Sequence, residues 1–273
     1  MPYNNQDFLQ NMLVPDRGQN SARLLPVVVK KIVKSRIVPV LLDAILQDNA
    51  DTDFRESVLG LVRNLALHPD AKKPIGHSSA ALIATLQGCT EAEVKILACY
   101  ALTNLATESK ENQARISGDG VVIAILAAVR AHPRDSAVLV AAFSLMKELA
   151  VDDENIASQF VGEGGPDLLL SAMKGHPHDA MVQVAACGLL AYLPYEKRER
   201  VAPKLAKAIV LALEKHPRAA EVQIAACEAL LEITTHVPAV RGIVKEKHTR
   251  KLLEKAKKGF EDCESDVDDL LVF

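Results

Sequence analysis

EVKILACYALTNLAT (93–107) decides the fold, because four other stretches repeat its pattern in register. They are DFRESVLGLVRNLAL (53–67), AVLVAAFSLMKELAV (137–151), MVQVAACGLLAYLPY (181–195) and EVQIAACEALLEITT (221–235). Aligned on their last apolar anchors, Leu65, Leu105, Leu149, Leu193 and Ile233, they recur at intervals of 40, 44, 44 and 40 residues. Phe54, Val94, Val138, Val182 and Val222 open the five stretches, and Leu59, Cys99, Phe143, Cys187 and Cys227 share a middle column. The apolar columns sit at steps of three and four, so each stretch predicts an amphipathic helix with a wide buried face.

Working outward, a second helical pattern precedes each stretch: IVPVLLDAILQ (37–47), AALIATLQ (80–87), VVIAILAAVRA (121–131), PDLLLSAMKG (166–175) and LAKAIVLALEK (205–215). Three of the joints between the paired helices carry one dipeptide, His132-Pro133, His176-Pro177 and His216-Pro217. Proline disfavours helix at the residue before it and cannot continue one, so these joints punctuate the pairs. Shorter helical patterns, KENQARISGDG (110–120) and DENIASQFVGEGG (153–165), fall between repeats, with glycines suited to left-handed helix ends. No β-branched run with hairpin signals competes.

Two long helices and a short one recurring every ~42 residues is the pattern of armadillo and HEAT repeats. The run VKILACYALTNLATESKENQARISGDGVVIAIL (94–126) resembles the armadillo family specifically, in its AL, NLA, asparagine and glycine positions. The HPxDxxVQxAAC pattern from His176 to Cys187 is similar to the divergent armadillo repeats of leucine-rich-repeat kinases and related protist proteins. The resemblance implies an all-α protein, a right-handed α-solenoid of about five armadillo-type repeats with a truncated C-terminal repeat. It divides the chain into an N-terminal arm and leading helix (1–36), a repeat solenoid (37–248), a C-terminal capping helix (249–260) and an acidic tail (261–273). The segment from Arg241 to Lys258 holds eight Lys/Arg against two Glu, and Glu261 to Asp269 holds six acidic residues. The acidic stretch reads as solvated and loosely drawn to the basic block, which itself would make weak anionic contacts.

Composition narrows the function class. Of 273 residues, 49% are hydrophobic and 25% charged, with a net charge of −3 and no Trp. A dedicated nucleic-acid binder would carry a basic excess, so nucleic acid is not an expected partner. Five cysteines without a CxxC pair fit a reducing compartment, and the expected location is cytoplasmic. No secretory leader is evident at the N-terminus, and the longest apolar run, Val121–Val129, is too short to span a bilayer.

Catalytic signatures are absent: no P-loop, HExxH, GxSxG or EF-hand loop occurs, and no enzyme activity, cofactor or metal is expected. Gly162, Gly164 and Gly165 read as an inter-repeat turn rather than an anion cradle. His176, His178 and Asp179 read as joint and cap residues, since histidines of successive repeats lie too far apart to share a metal. Cys99, Cys187 and Cys227 read as core residues. Asp152-Asp153 reads as a turn, and Ser265-Asp266-Val267-Asp268 as tail sequence suited to an acidophilic kinase.

The resemblance also implies that the third helix of each repeat lines a concave groove. The residue before each anchor gives one ladder, Asn64, Asn104, Glu148, Tyr192 and Glu232. The residue one turn earlier gives a second, Gly60, Tyr100, Ser144, Gly188 and Glu228. The partner-binding candidates are therefore Asn64, Tyr100, Asn104, Ser144, Glu148, Tyr192, Glu228 and Glu232. In armadillo import adaptors these ladders hold Trp and Asn; here Asn stands only at 64 and 104 and Trp nowhere, which argues against import cargo. The expected function is a non-catalytic protein-interaction scaffold whose groove takes a partner segment. The alternative is a structural subunit of a cytoskeletal, ciliary or organellar assembly.

Overall fold

A computed structural model describes residues 21–47, 49–118, 120–151, 153–194 and 200–273. Tyr195, Asp152 and the N-terminal arm up to residue 20 lie outside the described residues. All regular structure among the described residues is helical. The chain divides into two compact units, Met1–Ala131 and His132–Phe273.

In the first unit, α1 (Ser21–Ser35), α2 (Ile37–Ile45) and α3 (Thr52–Leu65) form one repeat, and α4 (Pro69–Gly76), α5 (Ser79–Gly88) and α6 (Ala92–Ala106) form the next. The third repeat begins with α7 (Lys110–Gly118) and α8 (Val121–Ala131). Like stacks on like: α1 on α4, α2 on α5 and α3 on α6, with α7 and α8 continuing the first two stacks. That stacking is why the apolar columns keep their register. Leu59, Leu65, Cys99 and Leu105 are all buried in it.

The second unit opens with α9 (Ser136–Ala150) and continues through α10 (Glu154–Gly162), α11 (Gly165–Gly175) and α12 (Ala180–Leu190). Then come α13 (Ala202–Lys215), α14 (Ala220–His236), α15 (Arg241–Lys245), α16 (Lys247–Gly259) and α17 (Glu264–Val272). Here α9, α12 and α14 stack in sequence, as do α11 and α13. Gly164, with φ of +86°, makes the left-handed turn into α11, and the adjoining Gly165 lies so close to the buried Phe160 ring that a Cβ there would collide with it.

The joints show why the sequence breaks where it does. Asp135, Asp153 and Asp179 precede α9, α10 and α12, and each Oδ1 accepts two backbone N–H bonds from the first turn, at 3.0–3.3 Å. His176 and His216 end α11 and α13, and each reaches the proline carbonyl of the preceding joint. His176 Nε2 lies 3.3 Å from Pro133 O, and His216 Nε2 lies 3.0 Å from Pro177 O. The histidines therefore tie neighbouring repeats together, in keeping with their reading as joint residues.

The acidic stretch at the C-terminus departs from its expected solvated form. Residues 261–263 form a 3-10 turn, α17 follows, and α17 packs on α14 and α16. Cys263, Val267 and Leu270, spaced four and three apart, are fully buried. That spacing puts them on one helical face, so the segment buries an apolar stripe while its carboxylates stay exposed, apart from the half-buried Asp266. The shortened final repeat thus runs through α15, α16 and α17, with α16 on α13. Lys257 Nζ meets Asp268 at 2.6 and 2.7 Å, and Arg250 Nη2 donates to Leu271 O at 3.0 Å. Part of the basic block is thereby committed within the chain.

Candidate partner-binding face

Each third helix buries an apolar face, and the ladder residues stand among the half-buried residues beside it. Asn64, Tyr100 and Asn104 in the first unit are half-buried, as are Ser144, Glu148, Tyr192, Glu228 and Glu232 in the second. The anchors beside them, from Leu65 to Ile233, are buried. Polar and aromatic side chains thus stand beside the apolar face of each third helix.

In the first unit the asparagines are partly committed to the fold. Asn104 Nδ2 donates to the Arg63 carbonyl at 3.0 Å, joining α6 to α3. Asn64 Oδ1 accepts from Arg63 Nε and Nη2, both at 3.4 Å. Burial pushes the Tyr100 hydroxyl pKa up, and Glu93 adds to the effect.

The second unit brings Tyr192, Glu228 and Glu232 together. Tyr192 lies in the turn after α12, and its hydroxyl pKa is raised first by burial and then by the Glu228 and Glu232 carboxylates on α14. Lys147 Nζ lies 5.5 Å from the Tyr192 ring centroid. Lys147 runs beside Gly188, and a Cβ there would stand in ordinary contact with it, 3.4 Å from the ammonium. Beside Tyr192 opens a hollow of about 580 Å³, bounded by Val151, Asp153, Glu154, Leu193, Glu232 and His236 among others. The ladder positions alone do not point to Lys147, Val151, Asp153, Glu154 or His236.

A further polar column went unread in the sequence. Ten residues before each anchor stand Arg55, Lys95, Leu139, Gln183 and Gln223. Four of them donate to carbonyls at the end of the preceding helix. Arg55 Nε bonds Ile45 O at 3.1 Å, and the buried Lys95 Nζ bonds Leu86 O at 2.7 Å. Gln183 Nε2 spans Met173 O and His176 O, and Gln223 Nε2 spans Leu213 O and His216 O, at 2.8–3.0 Å. Helix ends leave carbonyls without intrahelical partners, and this column supplies them. Its role is structural.

Other sequence candidates resolve as fold elements. Burial pushes the Cys99 and Cys187 thiols up to about 12, far from thiolate chemistry at neutral pH. The His176–Asp179 segment spends its imidazole on Pro133 and its carboxylate on the α12 cap. Among the described residues no three His, Cys, Asp or Glu side chains gather as metal ligands would, and no helix is long and apolar enough to cross a membrane.

Stacked three-helix repeats with in-register third helices define an armadillo repeat protein. The chain belongs to the LRRK2 ARM repeat family, whose model matches residues 70–251. Among solved structures, an engineered protein shares 20% identity over 98% of this chain and 68% of its own, with a TM-score of 0.73. A designed armadillo repeat protein shares 15% over 85% of this chain and 99% of its own, at 0.66. A chain from a structure concerning the interaction between cadherin and beta-catenin shares 14% over 97% of this chain and 59% of its own, at 0.57. At these identities the likeness is one of fold. Among curated proteins the sequence has no match.

Proposed function

We propose that this is a non-catalytic protein-interaction scaffold in which the half-buried ladder of the third helices binds an extended or helical segment of a protein partner. The observation that carries the reading is the ladder: polar and aromatic side chains, half-buried, beside the apolar buried face of each third helix. Half-buried tyrosines offer large contact area at low entropy cost, which suits them to recognition. One of the structural neighbours comes from work on an interaction between two proteins, cadherin and beta-catenin. Five unpaired thiols, three of them in helix columns, suit a reducing location such as the cytoplasm. An import-adaptor role is disfavoured, because Asn104 spends its amide on Arg63 and no Trp accompanies it.

The structural-subunit reading draws on a different observation. Phe54 is 37% exposed, whereas Val94, Val138, Val182 and Val222 of the same column are at most 1% exposed. Val27 and Val40 in the same repeat are exposed as well. An assembly partner seated on α1–α3 would cover them.

The test selects binding peptides from a random display library on the whole chain, then measures their affinity for Tyr100→Ala/Tyr192→Ala by fluorescence anisotropy. The ladder reading expects at least tenfold weaker binding with an unchanged melting temperature. Unchanged affinity in the double variant refutes it.

A further inference from the structure

We propose that Cys227 and Cys263 form a redox latch, which hydrogen peroxide closes into a disulfide that fixes α17 to α14. The inference stands apart from the ladder reading. Cys227 belongs to the middle column of the third helices, and its helix α14 packs on α12, on the 3-10 turn of residues 261–263 and on α17. That turn carries Cys263. Both thiols are fully buried, and they hydrogen-bond to each other. A disulfide needs two facing segments whose cysteine side chains point at one another. The thiol–thiol contact between α14 and the turn meets that condition.

The two thiols are chemically unequal. The hydrogen bond from Cys227 pulls the Cys263 pKa down, against burial and the carboxylates of Asp266 and Asp262. The same bond, and then burial, pushes Cys227 up. Cys263 is therefore the thiol that ionises, and the thiolate is the nucleophile. Its sulfur attacks one oxygen of hydrogen peroxide: an S–O bond forms, the O–O bond breaks, and hydroxide leaves with the electron pair. The Cys227 sulfur then attacks the sulfur of the Cys263 sulfenic acid, forming the S–S bond and breaking S–O. The two thiol protons neutralise the two hydroxides. The thiols together lose two electrons, and one peroxide becomes two waters.

Buried thiols react only when the structure opens, and α17 supplies the opening. Of its own residues it buries only Val267 and Leu270. Its ion pair from Asp268 to Lys257 faces solvent and so holds weakly. Elements with few buried contacts open at low cost. Peroxide reaches Cys263 during such an opening, and redocking returns the sulfenic acid to Cys227. In the reduced chain α17 leaves and returns; the disulfide holds it down. Cys187, the preceding thiol of the column, is held at about 12 by burial and lies between α9 and α14 in the stack, so it stays out of the exchange. Disulfides of cytosolic proteins are characteristically of this transient, redox-sensing kind.

The experiment treats the reduced full chain with hydrogen peroxide at neutral pH and maps disulfides by mass spectrometry of non-reduced peptides. One crosslink is expected, Cys227 to Cys263, and dithiothreitol should reverse it. The oxidised chain should melt about 5–10 °C above the reduced one. Amide hydrogen exchange across residues 264–272 should slow at least tenfold. Cys187→Ala should keep the crosslink, whereas Cys263→Ser should lose both the crosslink and the slowed exchange. The map of the unsubstituted chain decides even where a buried substitution disturbs folding. A crosslink between any other pair, oxidation of Cys263 to sulfinic acid without a crosslink, or no reaction overturns the proposal. So does a Cys227–Cys263 crosslink that leaves the melting temperature and the exchange of α17 unchanged.

Discussion

Asp135, Asp153 and Asp179 cap the helices that follow them, but the corresponding position before α14 is Ala219, which makes no side-chain cap. Restoring the cap should help. Ala219→Asp is expected to stabilise the chain by about 0.5–2 kcal/mol, the usual worth of a capping side chain over alanine. Urea unfolding measures it, and a neutral or destabilising result would mean that the turn before α14 cannot present the carboxylate. Gln223 tests the polar column in the same assay. Gln223→Leu leaves the Leu213 and His216 carbonyls without that donor and should cost about 1–3 kcal/mol. Indifference would show that water or a shifted backbone satisfies both carbonyls. The His-Pro joints were legible because one dipeptide recurs three times. The polar column was not, because Arg55, Lys95, Gln183 and Gln223 share a function but no residue type, and Leu139 interrupts them. In the folded chain four different donors reach the same kind of carbonyl.

The third helices were the most legible elements, since their anchors recur in fixed register. Leu105 is fully buried and Leu149 nearly so. Cutting either to alanine should cost about 2–5 kcal/mol, read from chemical denaturation, and two near-zero values would reject the register. Helix α17 was the least legible element. Cys263, Val267 and Leu270 carry a helical stripe, but six acidic residues around them dominate the composition. Composition reports what faces solvent as well as what is buried, and here the buried minority decides the structure. Burial of Cys263 beside the Cys227 thiol gives a direct probe of that packing. Truncation after Phe260 should lower the melting temperature and make Cys227 react with an aromatic disulfide reagent at least tenfold faster, while Cys187 stays slow. A truncated chain with unchanged stability and unchanged Cys227 reactivity would return α17 to the status of a tail.

At the scale of the whole molecule, repeat position predicts a ladder of partner-binding candidates in each unit. All eight ladder residues read from the sequence are half-buried in the structure. Their partners were beyond the sequence. Asn104 turns to Arg63, and Tyr192 gathers Lys147, Glu228 and Glu232 from two other helices, because those neighbours are about 40 residues away in the chain. The central claim is that partners meet the third helices. Placing a photo-crosslinking amino acid at Tyr100 or Tyr192, and as controls at the exposed Ile123 of α8 or Leu211 of α13, tests it most directly. Irradiation in extract of the native source should yield a discrete protein adduct from positions 100 and 192 and none from 123 and 211. Adducts from 123 or 211, with none from 100 and 192, would contradict it.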